Sequence, residues 1–174
     1  MKLTLALILT IALLSGCEQE RVIEEERVIG EEQLQIRNNV FYEVNATEPF
    51  TGKATSSYPN GQKSSELTYV NGISIFHAGW HENGQKQYEG NYVGDNREGL
   101  VTAWYENGQK HYESNYVNGM LEGLFTQWYE NGQKQYEGNY VDGMEEGIHT
   151  RWNENGQIDS EVDYNSDGVQ RFGH

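Results

Sequence analysis

The chain is poor in the residues on which a conventional core or scaffold depends. It has one cysteine and two prolines in 174 residues, and only 12 basic residues against 27 acidic ones. A single cysteine excludes an internal disulfide framework and a CxxC metal cage. The formal charge of −15 disfavours DNA, RNA and anionic lipid surfaces, which would repel the chain at long range. Leucine is also scarce: after residue 17 there are only Leu34, Leu67, Leu100, Leu121 and Leu124. Aliphatic stripes at helical spacing are absent, which excludes a helical bundle. What is present is glycine (20 residues) and aromatic side chains, including 12 Tyr and 4 Trp. Such a chain buries rings if it buries anything.

Residues 1–16 have the layout of a secretory leader. Lys2 precedes the apolar run Leu3 to Leu14, and the small residues Ser15 and Gly16 precede Cys17. The run is too short to span a bilayer as a helix, which takes about 20 residues. Leu14-Ser15-Gly16-Cys17 resembles the lipobox of bacterial lipoproteins. That resemblance implies removal of the leader, lipidation of the Cys17 thiol with palmitate-like chains, and acylation of the new terminus. An ordinary secretory signal is the alternative. Several acyl chains hold a protein on a membrane, since each buried CH₂ contributes about 0.8 kcal/mol. Glu18 stands where an Asp would retain such a lipoprotein at the inner membrane. The implied location is therefore the cell envelope, at the outer membrane for a Gram-negative source. Residues 17–33 are expected to be the lipidated cysteine and a solvated acidic tether. The doubled Glu-Arg-Val-Ile at 20–23 and 26–29 offers a short helix as the other reading of that stretch.

The rest of the chain is one motif five times over. Asn-Gly-Gln occurs at 60–62, 83–85, 107–109, 131–133 and 155–157, spaced by 23 residues once and 24 thereafter. A fixed period in this range means stacked supersecondary units that cannot bury their apolar sides alone. Each unit predicts two strands joined by a tight turn. The expected fold is all-β, a single-layer antiparallel meander or solenoid of about five 24-residue β-hairpin repeats over residues 52–170. Residues 34–51 alternate well and are expected to supply capping strands, because a solenoid's first edge needs protection. Residues 171–174 remain as a C-terminal tail.

Parity chooses between turn types. A two-residue Asn131-Gly132 loop pairs Tyr129 with Lys134 and splits the rings between faces. A three-residue loop, a type I turn closed by a left-handed glycine, pairs Tyr129 with Gln133 and Trp128 with Lys134. Continued along the strand, this second register gathers Leu124, Thr126, Trp128, Tyr136, Gly138 and Tyr140 on one side. Pro59 at the first turn position of unit one favours it. The expectation is one structural aromatic face carrying Trp80, Trp104, Trp128 and Trp152 with Tyr92, Tyr116 and Tyr140.

Trp-Tyr-Glu-Asn-Gly-Gln-Lys (104–110 and 128–134), Tyr-Glu-Gly-Asn-Tyr (88–92 and 136–140) and Gly-Leu-x-Thr (99–102 and 123–126) resemble the MORN-repeat variant family of bacterial proteins. Pro49-Phe50-Thr51-Gly52 is similar to that family's lead into its first repeat. Members are commonly labelled antitoxins, which implies a protein-binding surface in place of an active site. Related repeats are associated with membranes and scaffolding. Unit two departs from the pattern with Ile75 where other units begin with Gly, and unit five departs at Ile158-Asp159-Ser160.

Repetition lines up charge. Glu66, Glu89, Glu113, Glu137 and Glu161 share one repeat position and are expected to face away from the rings. Glu82, Glu106, Glu130 and Glu154 form a second line at the turn tips. Two readings stand: a strip that binds a partner, basic in character, or a solvated surface kept soluble by charge. Lys86, Lys110 and Lys134 partly offset the strip. Exposed rings would alternatively suit a glycan or choline-type ligand, and a plain spacer lipoprotein is the third reading. Asp163-Tyr-Asn165-Ser-Asp167-Gly168 matches the opening of a calcium loop, but the closing glutamate is replaced by His174. The five histidines have no repeated ligand spacing. No cofactor or metal is expected, and no nucleophile–base set is evident. The expectation is a binding protein and not an enzyme.

Overall fold

The computed structural model describes residues 26–164 and 170–171. Cys17, the leader and most of the acidic segment lie outside the described residues, as do Asn165–Gly168 and His174. The strands are β1 (Val28–Gly30), β2 (Leu34–Arg37), β3 (Val40–Glu43), β4 (Gly52–Ser57), β5 (Lys63–Val70), β6 (Ile73–Trp80), β7 (Lys86–Val93) and β8 (Asn96–Trp104). They continue with β9 (Lys110–Val117), β10 (Met120–Leu121), β11 (Gly123–Trp128), β12 (Lys134–Val141), β13 (Met144–Trp152), β14 (Ile158–Tyr164) and β15 (Gln170–Arg171).

From β4 to β15 the strands pair antiparallel in chain order within a single 13-stranded open sheet, with β9 pairing β11 and the short β10 pairing β9 alone. The meander of hairpins is therefore as the repeats dictate. Its first edge is covered by β1, which pairs parallel to β4 through Val28, Ile29 and Gly30. This corrects the expected tether: its last residues join the sheet edge, where they satisfy the backbone groups of β4. The hairpin β2–β3 forms a separate small sheet. It packs Phe41 against Tyr69, with ring centroids 4.9 Å apart. Phe50, Ala54 and Tyr69 are the buried cluster of this end, backed by Ile29, Leu34 and Leu67.

Two kinds of turn alternate along the sheet. At one edge the Asn-Gly-Gln loops form as parity predicted. The Tyr129 N–H donates to the Gln133 carbonyl at 2.9 Å, and Gly132 takes φ +82°. The Asn131 side chain accepts from the Gln133 N–H at 2.9 Å, which closes the loop locally. At the other edge two-residue turns join the units. Asn71-Gly72, Asn118-Gly119 and Asp142-Gly143 have positive φ at both positions, the mirror-image turn whose twist matches a hairpin.

Each Asn-Gly-Gln turn is also tied to the next one. The Asn60, Asn83, Asn107 and Asn131 amides donate to the carbonyls of Glu82, Glu106, Glu130 and Glu154. The side chains of Gln85, Gln109 and Gln133 lie over Gly108, Gly132 and Gly156, where a Cβ would meet them. The last turn has no successor in the array. Asn153 there accepts from both Asn155 and Gln157.

Candidate functional site

The register places the rings differently from the expectation. Trp128 pairs with Lys134 as predicted, but the next pair is Gln127 with Tyr136. Gln135 is an extra residue, and a β-bulge flips every side chain beyond it to the other side. The same bulge recurs in the other hairpins, at residues 64, 87, 111 and 159. The single aromatic face is thus corrected to two. Trp80, Trp104, Trp128 and Trp152 stand on one side, and Tyr92, Tyr116 and Tyr140 stand on the other. Glu89, Glu113 and Glu137 lie on the tryptophan side, paired with Thr102 and Thr126.

On the tryptophan face charge is interleaved with rings. Lys63, Lys86, Lys110 and Lys134 each pair with the glutamate three residues on, Glu66, Glu89, Glu113 and Glu137. Each ammonium also sits over the tryptophan of the following unit, at 4.0 Å for Lys63–Trp80 and 5.6 Å for Lys110–Trp128. The Lys63 bond holds the Glu66 carboxyl below its ordinary range, with burial acting against it. Glu161 has no such lysine and takes a bond from Thr150. The tip residues Glu82, Glu106, Glu130 and Glu154 are exposed. The two glutamate lines are therefore unlike: the strand line is largely neutralised, and the tip line is free-standing.

Toward the two-residue turns the same face is open, and exposed aliphatic side chains alternate there with Asn115, Asn139 and Asp163. Leu100, Leu124 and Ile148 share one repeat position and are 53%, 55% and 65% exposed. Beside them lie Val93, Val117 and Val141, with Met120 and Met144 across the turns, all exposed. The expected ring-bearing side included Leu124, and the valines carry no expectation from the sequence. Their 24-residue recurrence was the available signal.

The tyrosine face is more enclosed. Val101, Ala103, Ser114, Tyr136 and His149 are buried there. Phe125 lies between Tyr112 and Tyr136, and His149 contacts Tyr136, Tyr140 and Tyr164. Burial pushes the Tyr112 and Tyr136 phenols up. Over units two and three this face opens into a cleft of about 400 Å³, lined by His77, Tyr88, Tyr92, Arg97, Val101 and Tyr112 among others. Burial lowers the His77 imidazole, and the Glu31 carboxylate acts in the opposite sense. Among the described residues no three His, Cys, Asp or Glu side chains are placed to hold a metal.

Five stacked hairpins with this turn signature match the MORN repeat variant at residues 50–71, 79–93, 97–118, 121–142 and 145–166, more than half of the chain. The chain belongs to the MORN repeat variant family. The second match starts at Gly79 and leaves out the stretch in which Ile75 replaces the usual glycine. There Ile75 is itself an extra residue between Ser74 and Phe76, opposite Thr68 and Tyr69. No curated protein matches the chain. As a MORN-repeat sheet, the chain is a repeat-based binding module with two chemically distinct faces.

Proposed function

We propose that this MORN-repeat chain is an envelope lipoprotein, held through Cys17, whose tryptophan face binds a protein partner in an immunity-like role. The observation that carries the reading is the exposed aliphatic band of Leu100, Leu124 and Ile148 with the adjoining valines. Scattered apolar side chains are ordinary on a surface, but a band repeated unit after unit is a docking feature. Protein interfaces join an apolar centre to a charged rim. Here the glutamates near the band are Glu98, Glu122 and Glu146, bonded to Asn118, Asp142 and Asn139, in a chain of formal charge −15; the tip glutamates 82, 106, 130 and 154 stand at the opposite edge. The matching partner presents an apolar patch fringed by lysine and arginine, and charge speeds its arrival. The tryptophan rings already carry lysine ammonium groups, which favours this reading over stacking of a sugar or a choline-type cation.

The test is co-purification with the basic product of an adjacent gene, comparing wild type with the double variant Leu100→Glu, Leu124→Glu. Both positions are exposed, so the sheet is expected to fold and the complex to be lost. Retention of the complex by the variant removes the surface assignment. Full viability of cells lacking the gene, when exposed to that neighbour, removes the immunity role. For the anchor, Cys17→Ser is expected to move the protein to the soluble fraction, and a membrane-bound variant refutes the lipid attachment.

A further inference from the structure

Four of the five Asn-Gly-Gln loops hold their asparagine carboxamide at both ends. The Oδ1 atoms of Asn60, Asn83, Asn107 and Asn131 accept from the Gln62, Gln85, Gln109 and Gln133 N–H, each at 2.9 Å. Their Nδ2 atoms donate to the Glu82, Glu106, Glu130 and Glu154 carbonyls of the following loop, at 3.3, 2.6, 2.7 and 2.9 Å.

The fifth loop is built differently. No further loop of the array follows it, so the Asn155 amide lacks the carbonyl that the other four reach. Asn153 moreover stands where the other units carry Tyr58, His81, Tyr105 and Tyr129. Its Oδ1 takes the Gln157 N–H at 3.1 Å, the donor that the loop asparagine receives elsewhere, and the Asn155 N–H at 3.0 Å. The Asn155 carboxamide is left with no hydrogen bond at either end among the described residues.

In the remaining geometry the loops agree. All five asparagines are exposed and precede glycine. Each glycine N–H donates within its own loop at 2.9 Å, to the carbonyl of Tyr58, His81, Tyr105, Tyr129 or Asn153. The glycine φ lies between +78° and +85° throughout. Asn71-Gly72 and Asn118-Gly119 belong to the two-residue turns. Their glycine N–H groups are bonded to the Phe50 and Arg97 carbonyls at 2.7 and 3.0 Å, so a distant part of the chain holds them.

An asparagine before glycine can react with its own backbone. The glycine nitrogen attacks the asparagine Cγ, unhindered by a Cβ on its own residue. The N–Cγ bond forms, the Cγ–Nδ2 bond breaks, ammonia leaves, and the glycine amide proton passes to base in solution. Water then opens the resulting succinimide at either carbonyl and leaves aspartate or isoaspartate. The attack requires the carboxamide to rotate toward the glycine nitrogen. In the first four loops that rotation breaks two hydrogen bonds, one of them to the next loop; in the fifth it breaks neither. Two ordinary hydrogen bonds correspond to about tenfold or more in the population of the reactive rotamer.

We propose that Asn155 is a modification site, the one repeat-loop asparagine that the folded chain converts to aspartate or isoaspartate. The sheet protects the other four, each through the loop that follows it. The reaction places a new carboxylate beside Glu154, at the end of the tip line. It needs only water as co-reactant, and it stands or falls apart from the partner surface and the anchor.

The experiment is time-resolved peptide mapping by mass spectrometry of the full chain at mildly alkaline pH, folded and, in parallel, unfolded in urea. In the folded chain Asn155 is expected to convert about tenfold or more faster than Asn60, Asn83, Asn107 and Asn131. In urea the five should convert alike, because the Asn-Gly-Gln triplet is the same in each. Asn153→Tyr copies the other units and returns the Gln157 N–H to Asn155; it should slow Asn155 severalfold and leave the other four unchanged. Equal rates in the folded chain overturn the proposal. So does a lead of Asn155 that persists undiminished in urea, which would assign it to local sequence. An unslowed Asn155 in folded Asn153→Tyr overturns it as well, since the freed carboxamide is then not the cause. Should that variant not fold, Asn153→Ala removes the same competing acceptor and is judged by the same outcome.

Discussion

The Tyr105 phenol donates a hydrogen bond to the main-chain carbonyl of Trp128, 23 residues further along the chain, at 2.8 Å. The bond recurs from Tyr58 to Trp80 at 2.7 Å and from Tyr129 to Trp152 at 2.8 Å, with His81 holding the same place toward Trp104 at 2.9 Å. A residue beside each turn thus ties its own hairpin to the next one. In a repeat sheet, where every unit leans only on its neighbours, such ties set how strongly units are coupled. They also hold the aliphatic band and the cleft in a fixed frame.

Tyr105→Phe and Tyr129→Phe keep the ring and delete only this bond. Each is expected to cost about 1 kcal/mol in urea unfolding, with little change in the denaturant slope. The double variant should be near-additive, because the two bonds share no partner.

Gly132 has φ +82° and closes the loop of unit four. Gly132→Ala forces an L side chain into the left-handed region and pushes against the Gln109 amide. The expected cost is about 1–2 kcal/mol. Gly138→Ala tests a different constraint: its φ is not positive, but a Cβ there would lie 2.6 Å from the His149 ring. Its loss should therefore appear with local rearrangement of the Tyr136–His149 contact, visible in near-UV circular dichroism.

Ser114 is fully buried opposite Val101, and its hydroxyl has no hydrogen-bond partner among the described residues. Gly90 and Gly138 occupy the same repeat position in the neighbouring units. Ser114→Ala keeps the Cβ and removes the stranded oxygen. It is expected to raise stability by about 1 kcal/mol, read from the thermal or urea midpoint.

Two titrations bracket the stability of the tyrosine face. Burial lowers the His77 pKa below its unfolded value of about 6.5. Its neutral form, stacked on Tyr92 and bonded to Ser74, contributes stability that is complete above pH 6.5 and is lost as pH falls through the lowered folded value. His77→Phe, which copies Phe125, should flatten the fall in Tm between about pH 7 and pH 5. At the other end, burial pushes the Tyr69 phenol up to about 12. The unfolded chain loses that proton first, so Tyr69 adds an alkaline loss of stability from about pH 10 upward, ending near pH 12. Tyr69→Phe should remove that portion of the loss.

Much of the fold was legible because its determinants are local. Asn131-Gly132-Gln133 and its four counterparts lie in three-residue loops closed by bonds within the loop itself, and their even spacing specifies antiparallel hairpins in succession. Pro49-Phe50 marked the start of the array. The distribution of side chains between faces was not legible from parity alone, because the extra residue at Gln135 breaks the alternation. Lys134-x-x-Glu137 carried the hint. An ion pair three residues apart cannot form along an unbroken strand, whose side chains alternate, yet the spacing repeats at Lys86–Glu89 and Lys110–Glu113.

The candidate site divides in the same way. Cys17 and the glutamate lines could be picked out from sequence, since position and repetition suffice. The cleft could not, because His77, Tyr88, Arg97 and Tyr112 come together only through pairing across β6, β7, β8 and β9. The sequence by itself determined the hairpin, its turns, its count and its acidity, all set by interactions within a few residues. Only the tertiary structure decided which rings share a side, which aliphatic residues stay in water and where a space is left among the tyrosines. Those outcomes depend on a one-residue bulge summed across neighbouring strands, and a shift of one residue reverses every side chain that follows it.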